Sequence, residues 1–167
     1  MDNKRISKDL YYLSISKDVA LRATCLRRKF GAVIVKNDSI VSTGYNGAPR
    51  GCLDSLSAGW CFREEAKIPQ GERYEMCRSI HAEQNAIIHA GRDRTLGATL
   101  YLSGIDAKTK NISGVEPCLL CTKMIINAGI KRTVIQKSED SYIELSIDDM
   151  KNRFEKTFQK TKEKASG

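Results

Sequence analysis

Apolar residues Ile6, Leu10, Leu13, Ala20 and Leu21 recur at the spacing of one helix face, with Ser7 or Asp2 placed to cap its start. The pattern then changes period. Ala32-Val33-Ile34-Val35 and Ile40-Val41-Ser42-Thr43-Gly44 flank the polar Lys36-Asn37-Asp38-Ser39, which predicts a β-hairpin closed by an Asn-Asp turn. From 45 to 80 periodicity is poor, and glycines, prolines and three cysteines crowd in. This reads as a loop-rich insertion, long enough that something must tie it down. Regular structure resumes with a helix from His81 to Ala90, closed by Gly91, and a buried strand Ala98–Leu102. Ser103 to Val115 reads as a polar loop. Pro117 precedes a helix ending at Ala128-Gly129, Thr133-Val134-Ile135 is a further strand, and Tyr142 to Leu145 a short fifth. A last helix, Ile147 to Lys164, carries Met150, Phe154 and Phe158 at i, i+4 and i+8. Strands alternating with helices predict one α/β domain over 1–146, followed by a basic C-terminal helix and tail over 147–167.

Composition sets the class. The chain has 167 residues, 41% hydrophobic and 29% charged, enough for a single buried core. No run approaches the roughly 18 uncharged apolar residues that span a bilayer, and the start has no apolar leader region, so a soluble, cytoplasmic protein is expected. Lys and Arg number 28 against 20 Asp and Glu, for a net charge of +8. Half of that excess lies in residues 151–167, with six basic and two acidic groups. A solvated basic tail explains this more simply than a nucleic-acid face, although a phosphate-bearing partner fits as well. Six cysteines without a secretory leader point to metal or catalytic use, and His81 and His89 are the only histidines.

The strongest chemical signal is His81-Ala82-Glu83 followed by Pro117-Cys118-Leu119-Leu120-Cys121. Cys118 and Cys121 stand three apart at a helix start, where their sulfurs share a face and unpaired backbone N–H groups favour thiolate. With His81 they make three ligands, which leave a fourth tetrahedral position for water, as catalytic zinc requires. Glu83 is placed to stand beside that water without ligating the metal and to move its proton. His89, on the same helix, reads as an ordinary helix histidine rather than a ligand.

These residues, with Ser42-Thr43-Gly44-Tyr45-Asn46-Gly47-Ala48-Pro49-Arg50-Gly51, Thr24-Cys25-Leu26-Arg27-Arg28, His81-Ala82-Glu83-Gln84-Asn85-Ala86-Ile87 and Ile125-Ile126-Asn127-Ala128-Gly129-Ile130, resemble the cytidine/deoxycytidylate deaminase superfamily. Within it they look like the deoxycytidylate (dCMP) deaminases and their competence-operon relatives. The resemblance runs over roughly residues 10–136 and is silent on the tail. It implies a cytidine-deaminase-like three-layer α/β sandwich, with a mixed sheet of about five strands flanked by helices. It also implies hydrolytic conversion of dCMP to dUMP and ammonia, with one catalytic Zn2+ on His81, Cys118 and Cys121 and Glu83 carrying protons. Backbone N–H groups near Ala82 and Cys118 would hold the base, Asn46 the deoxyribose, and Arg27 or Arg28 the 5′-phosphate; Arg92 is a further nucleotide contact. Relatives place a tyrosine against the substrate shortly after the strand that follows the Cys-x-x-Cys helix. Here that stretch runs Gln136 to Tyr142, so Tyr142 is expected to fill the role in a shifted register. A homo-oligomer, a hexamer as in many dCMP deaminases, with dCTP and dTTP as regulators, is implied too.

Cys25, Cys52, Cys61 and Cys77 fall outside the catalytic set. Some relatives hold a second, structural zinc in this region, and such a metal on these four would explain how the insertion stays ordered. Other substrates keep the same chemistry: tRNA adenosine, a free base or a riboflavin precursor. The 34 residues between Asn46 and His81 argue against tRNA, since tRNA deaminases have a shorter connection. A zinc-stabilised binding protein without activity is the reading from another class, and the intact Glu83 argues against it.

Overall fold

The computed structural model describes residues 5–165, with side chains through Gln159, so Asp2 and the end of the basic tail lie outside the described residues. Helix α1 (Lys8–Ala20) begins where the Ser7 hydroxyl accepts from the Leu10 amide, at 3.3 Å. Strands β1 (Arg28–Lys36) and β2 (Ser39–Tyr45) form the expected hairpin, its turn made by Asn37 and Asp38 at φ 50° and 60°. Short helices α2 (Ser55–Ala58) and α3 (Phe62–Glu65) and a 3₁₀ turn (Tyr74–Met76) punctuate the insertion. Then follow α4 (Ala82–Ala90), α5 (Arg92–Thr95), β3 (Thr99–Asp106), α6 (Leu119–Asn127), β4 (Arg132–Gln136), β5 (Tyr142–Ser146) and α7 (Ile147–Ala165).

The five strands make one mixed sheet in the order β2-β1-β3-β4-β5, with β3 and β4 parallel and the other pairs antiparallel. Both faces are covered, and the alternation along β1 shows how. Ala32 and Ile34 join Leu100, Leu102 and Ile135 against α4, α6 and Met150 of α7. Val33 and Val35 join Tyr101 and Val134 against Tyr12 and Leu13 of α1. This is the three-layer sandwich expected. No helix among the described residues is long and apolar enough to cross a membrane.

One expectation fails at β3. The strand does not stop at Leu102 but runs on through Ser103 to Asp106, into the stretch that reads as a polar loop. Ser103 is buried in a strand without penalty because its hydroxyl donates to the Leu13 carbonyl at 3.0 Å and lies 2.5 Å from the Ser16 hydroxyl. The chain then turns back on itself, Ile112 bridging Ile105.

A polar cluster fastens α1 to the far side of the sheet. Arg132 binds the Asp9 carboxylate with both terminal nitrogens, each at 2.8 Å, and the same carboxylate accepts from Tyr101 (2.8 Å) and Tyr142 (3.1 Å). Arg132 also donates to Glu144 at 2.7 Å. Two-pronged pairing of this kind is stronger than an ordinary surface ion pair. The Arg132 guanidinium, despite the cost of partial burial, holds the Asp9 carboxyl down at about 2. A carboxylate whose pKa is depressed on folding contributes stability above its ordinary value near 3.8, and the contribution disappears as pH falls through about 2. Asp9→Asn is therefore expected to lower unfolding free energy by about 1–3 kcal/mol near neutrality. In urea melts the gap to the parent protein should shrink between pH 4 and pH 2; a gap independent of pH would mean the cluster contributes through packing and not charge.

Candidate metal centre and active site

Helices α4 and α6 start beside one another, and their N-cap residues are His81 and Cys118. Cys121 lies in the first turn of α6 and is fully buried. The His81 Nδ1 is 3.3 Å from the Cys121 Sγ and 3.5 Å from the Cys118 Sγ. All three donor atoms fall within 4.8 Å of one another, the only such His/Cys/Asp/Glu group among the described residues. One imidazole nitrogen and two sulfurs are donors that zinc prefers, and three from protein leave one position open.

Local sequence fixes the start of α4. The Gln84 side chain accepts from the His81 amide at 2.9 Å, so the helix cannot begin a residue earlier or later without losing that bond. Gly44 fixes where the helix lies. A Cβ at that position would fall well inside contact distance of the Ala82 carbonyl and the Ala86 amide, so only glycine lets α4 pack so closely on β2. Ser42 Oγ donating to the Ala86 carbonyl (2.8 Å) and Asn85 Nδ2 donating to the Tyr45 carbonyl (2.8 Å) complete the attachment.

Protons are shared unevenly within the triad. A hydrogen bond from the Cys121 thiol, outweighing burial and helped by His81, brings Cys118 down to about 4. Burial disfavours the His81 imidazolium, but hydrogen bonding to the sulfurs of Cys118 and Cys77 more than offsets it and lifts His81 to about 10. Cys121 is pushed up by its bond to Cys118 and by burial. Glu83, two residues along α4, is 5% exposed, and burial raises its carboxyl above the ordinary range against the pull of the His81 charge. A buried acid able to hold a proton beside an open ligand position is suited to general acid and base work.

One cavity leads to this centre, walled by His81, Ala82, Glu83 and Cys118 on one side and by Arg27, Arg28 and Asn46 on another. Asn46 is buried, its Oδ1 accepting from the Phe30 amide (2.7 Å) and its Nδ2 donating to the Arg28 carbonyl (2.9 Å). The residues expected at the catalytic core and substrate wall are thus brought together, with three exceptions.

Tyr142 is not in the cavity. On the edge strand β5 it turns to the α1 face of the sheet and donates to Asp9, whereas the metal centre lies on the α4 and α6 face. The stretch after β4 instead presents Lys137, which donates to the Gly114 carbonyl (2.6 Å) and pairs with Glu116 (3.5 Å), a residue of the cavity wall. Arg92 is exposed at the start of α5, past the end of α4 that is remote from His81. The four remaining cysteines do not assemble: Cys25, Cys61 and Cys77 line the cavity, but Cys52 is exposed elsewhere, and no second ligand group forms among the described residues. The insertion is tied by other means. Arg63, 4% exposed, donates to the carbonyls of Pro69 (2.7 Å), Glu72 and Arg73 (2.9 Å), drawing the loop around its guanidinium. Arg63, Tyr74 and Glu116 are wall residues that the sequence alone does not single out. His89 is exposed, held between the Thr43 carbonyl (2.8 Å) and Arg50 (3.3 Å), and is no ligand of the centre.

A family model described as the cytidine and deoxycytidylate deaminase zinc-binding region matches residues 6–137. The chain belongs to this deaminase family. A protein named deoxycytidylate deaminase from Mycobacterium phage D29 is 36% identical over 134 residues, covering 77% of this chain and 94% of the phage protein. The fission yeast deoxycytidylate deaminase is 34% identical over 135 residues, 80% of this chain but 38% of the yeast protein, so the chain spans about two fifths of that relative's length. Among solved structures, the dCMP deaminase of cyanophage S-TIM5 is 26% identical with a TM-score of 0.50, over 77% of this chain and 81% of the phage chain. A cytidine deaminase from Burkholderia pseudomallei, 17% identical, shares the fold at a TM-score of 0.54 over 87% of this chain and 96% of its own.

Two outcomes are expected from this arrangement. Purified protein should carry one zinc per chain by elemental analysis, lost on replacing Cys118 or Cys121 by Ala. Gly44→Ala should push α4 off β2, costing about 1–3 kcal/mol and lowering zinc content. Full zinc occupancy with unchanged denaturation in that variant would show that the close approach does not position the centre.

Proposed function

We propose that the chain is a zinc-dependent hydrolase that converts dCMP and water to dUMP and ammonia. The observation that carries this reading is Glu83: a buried carboxyl whose affinity for a proton is raised, adjoining three metal donors, in a cavity flanked by arginines. A structural metal site needs no such acid. When bound at His81, Cys118 and Cys121, zinc supplies Lewis acidity and lowers the pKa of a water molecule towards neutrality.

The protein's own groups do the rest. Glu83 takes a proton as water adds to C4 of cytosine, gives it to N3, and delivers the second to the departing amine, so that ammonia leaves and a carbonyl remains. The backbone N–H groups about Ala82 and Cys118 hold the base. Asn46 spends one acceptor site and one N–H on β1, which leaves its second lone pair and second N–H for the deoxyribose hydroxyl. Arg27 and Arg28 face the cavity as partners for the 5′-phosphate. The relatives named deoxycytidylate deaminase support this choice of substrate over a riboflavin precursor, a free base or tRNA. A cytoplasmic homo-oligomer, hexameric by resemblance and regulated by dCTP and dTTP, belongs to the same proposal.

Ammonia release is the test, with dCMP beside CMP, deoxycytidine and a tRNA substrate. Turnover of dCMP is expected, and Glu83→Gln should keep its zinc and lose about 10²- to 10⁴-fold in kcat. Loss of zinc in that variant would remove Glu83 from the role. Consumption of another substrate with dCMP untouched would keep the chemistry and overturn the substrate. Rates that are hyperbolic in dCMP and indifferent to dCTP and dTTP would exclude the regulation.

A further inference from the structure

Three arginines reach the cavity, and they differ in what balances their charge. Arg27 pairs with Glu64 at 3.4 Å. Arg28 stands opposite Asp106 in the register of β1 with β3, and its charge bears on that carboxylate. Arg63 has no carboxylate within 4.0 Å among the described residues, yet it is far more buried than the other two. Its partners are three neutral carbonyls and the face of Tyr74, whose ring centroid lies 4.6 Å from the guanidinium carbon.

A buried guanidinium without a counter-ion is costly to maintain, and carbonyl dipoles offset that cost only in part. If Arg63 served only to gather the loop, a neutral donor would do the same at less expense. Its five N–H groups are not exhausted either: the three bonds to carbonyls leave two unspent, in a side chain that lines the cavity. Tyr74 in turn meets His81 edge-on, ring centroids 5.1 Å apart at 83°, so the same ring contacts both the Arg63 cation and a metal donor.

We propose that Arg63 is the specificity-determining residue of the cavity: it supplies the counter-charge for the 5′-phosphate and thereby selects nucleotide over nucleoside. This rests on the dCMP reading above. Arg27 and Arg28 already carry carboxylate neighbours and contribute less to the discrimination; Arg63, which has no carboxylate partner and whose charge bears on the Cys77 thiol of the same cavity, contributes most. The insertion acquires a purpose beyond covering the centre, since it brings a desolvated cation to the wall where the phosphate enters.

The test compares kcat/KM for dCMP and for deoxycytidine in the parent protein, Arg63→Gln and Arg63→Lys, with zinc content measured on each. For Arg63→Gln the dCMP value should fall by roughly 10- to 100-fold, mostly in KM, while the deoxycytidine value stays within about threefold. Arg63→Lys should recover part of the loss. A parallel fall for both substrates would reduce Arg63 to a loop anchor and overturn the proposal, as would an unchanged preference. Should Arg63→Gln not fold, thermal melts of the parent and Arg63→Lys decide the matter. Inorganic phosphate, against chloride at matched ionic strength, should raise the parent's melting temperature and raise the lysine variant's by less; no rise in the parent sinks the idea. Should the parent turn over neither dCMP nor deoxycytidine, the dCMP reading fails on its own, and the phosphate melts still report whether Arg63 holds an anion.

Discussion

Helices α4 and α6 begin at the same place, and the unpaired N–H groups of both first turns face one small volume. That convergence concentrates positive partial charge where Cys118 must be a thiolate and where an electron-rich substrate must sit. It also constrains the rest of the fold. Two helices can start side by side only if the strands beneath them are adjacent or nearly so and if each helix is held at a fixed height. The sheet order β2-β1-β3-β4 meets the first requirement, α4 lying over β2 and β1 with α6 packed beside it. The close packing at Gly44 meets the second for α4, and α7, stacked on α6 through Met150, steadies the other side.

The wall opposite the triad is built differently, from irregular chain held by a charged side chain. Arg63 binds carbonyls six to ten residues further along the chain, which draws the loop together with its cysteines unpaired. Glu116, just before Pro117, joins the two constructions. It reaches the cavity, and it is balanced by Lys137 from the end of β4 and by Arg153 from α7. The chain just before Cys118 is thus fixed by charge pairs with elements that carry no chemistry themselves.

What was legible in the sequence follows from this division. His81, Glu83, Cys118 and Cys121 could be read because few residue types bind zinc and because helix starts announce themselves through Pro117 and the His81-to-Gln84 spacing. The hairpin and the helices were legible from periodicity. Tyr142 was not, because a strand of five residues alternates faces whichever way it is laid, and only its pairing with β4 and the presence of Asp9 decide which face it takes. Ser103 hid the end of β3, since a hydroxyl looks like loop until Leu13 and Ser16 are seen to receive it. The cysteine count suggests a second metal, but counting cannot show convergence, and Cys52 is exposed and outside the cavity that Cys25, Cys61 and Cys77 line. Arg63 left no local trace, for its partners are backbone carbonyls that any sequence offers.

The Asp9 cluster has a consequence for how the protein comes into being. Asp9 is joined to Arg132 across 123 positions and to Tyr142 across 133. At a synthesis rate of about 5–20 residues per second, the acid leaves the ribosome roughly 6–25 seconds before its arginine. Through that interval α1 can cover β1 and β3, and its carboxylate has the Tyr101 hydroxyl but no cation for company. The clasp that fastens α1 is closed by β4 and β5, so the nascent sandwich stays open along one seam until those two strands have been made.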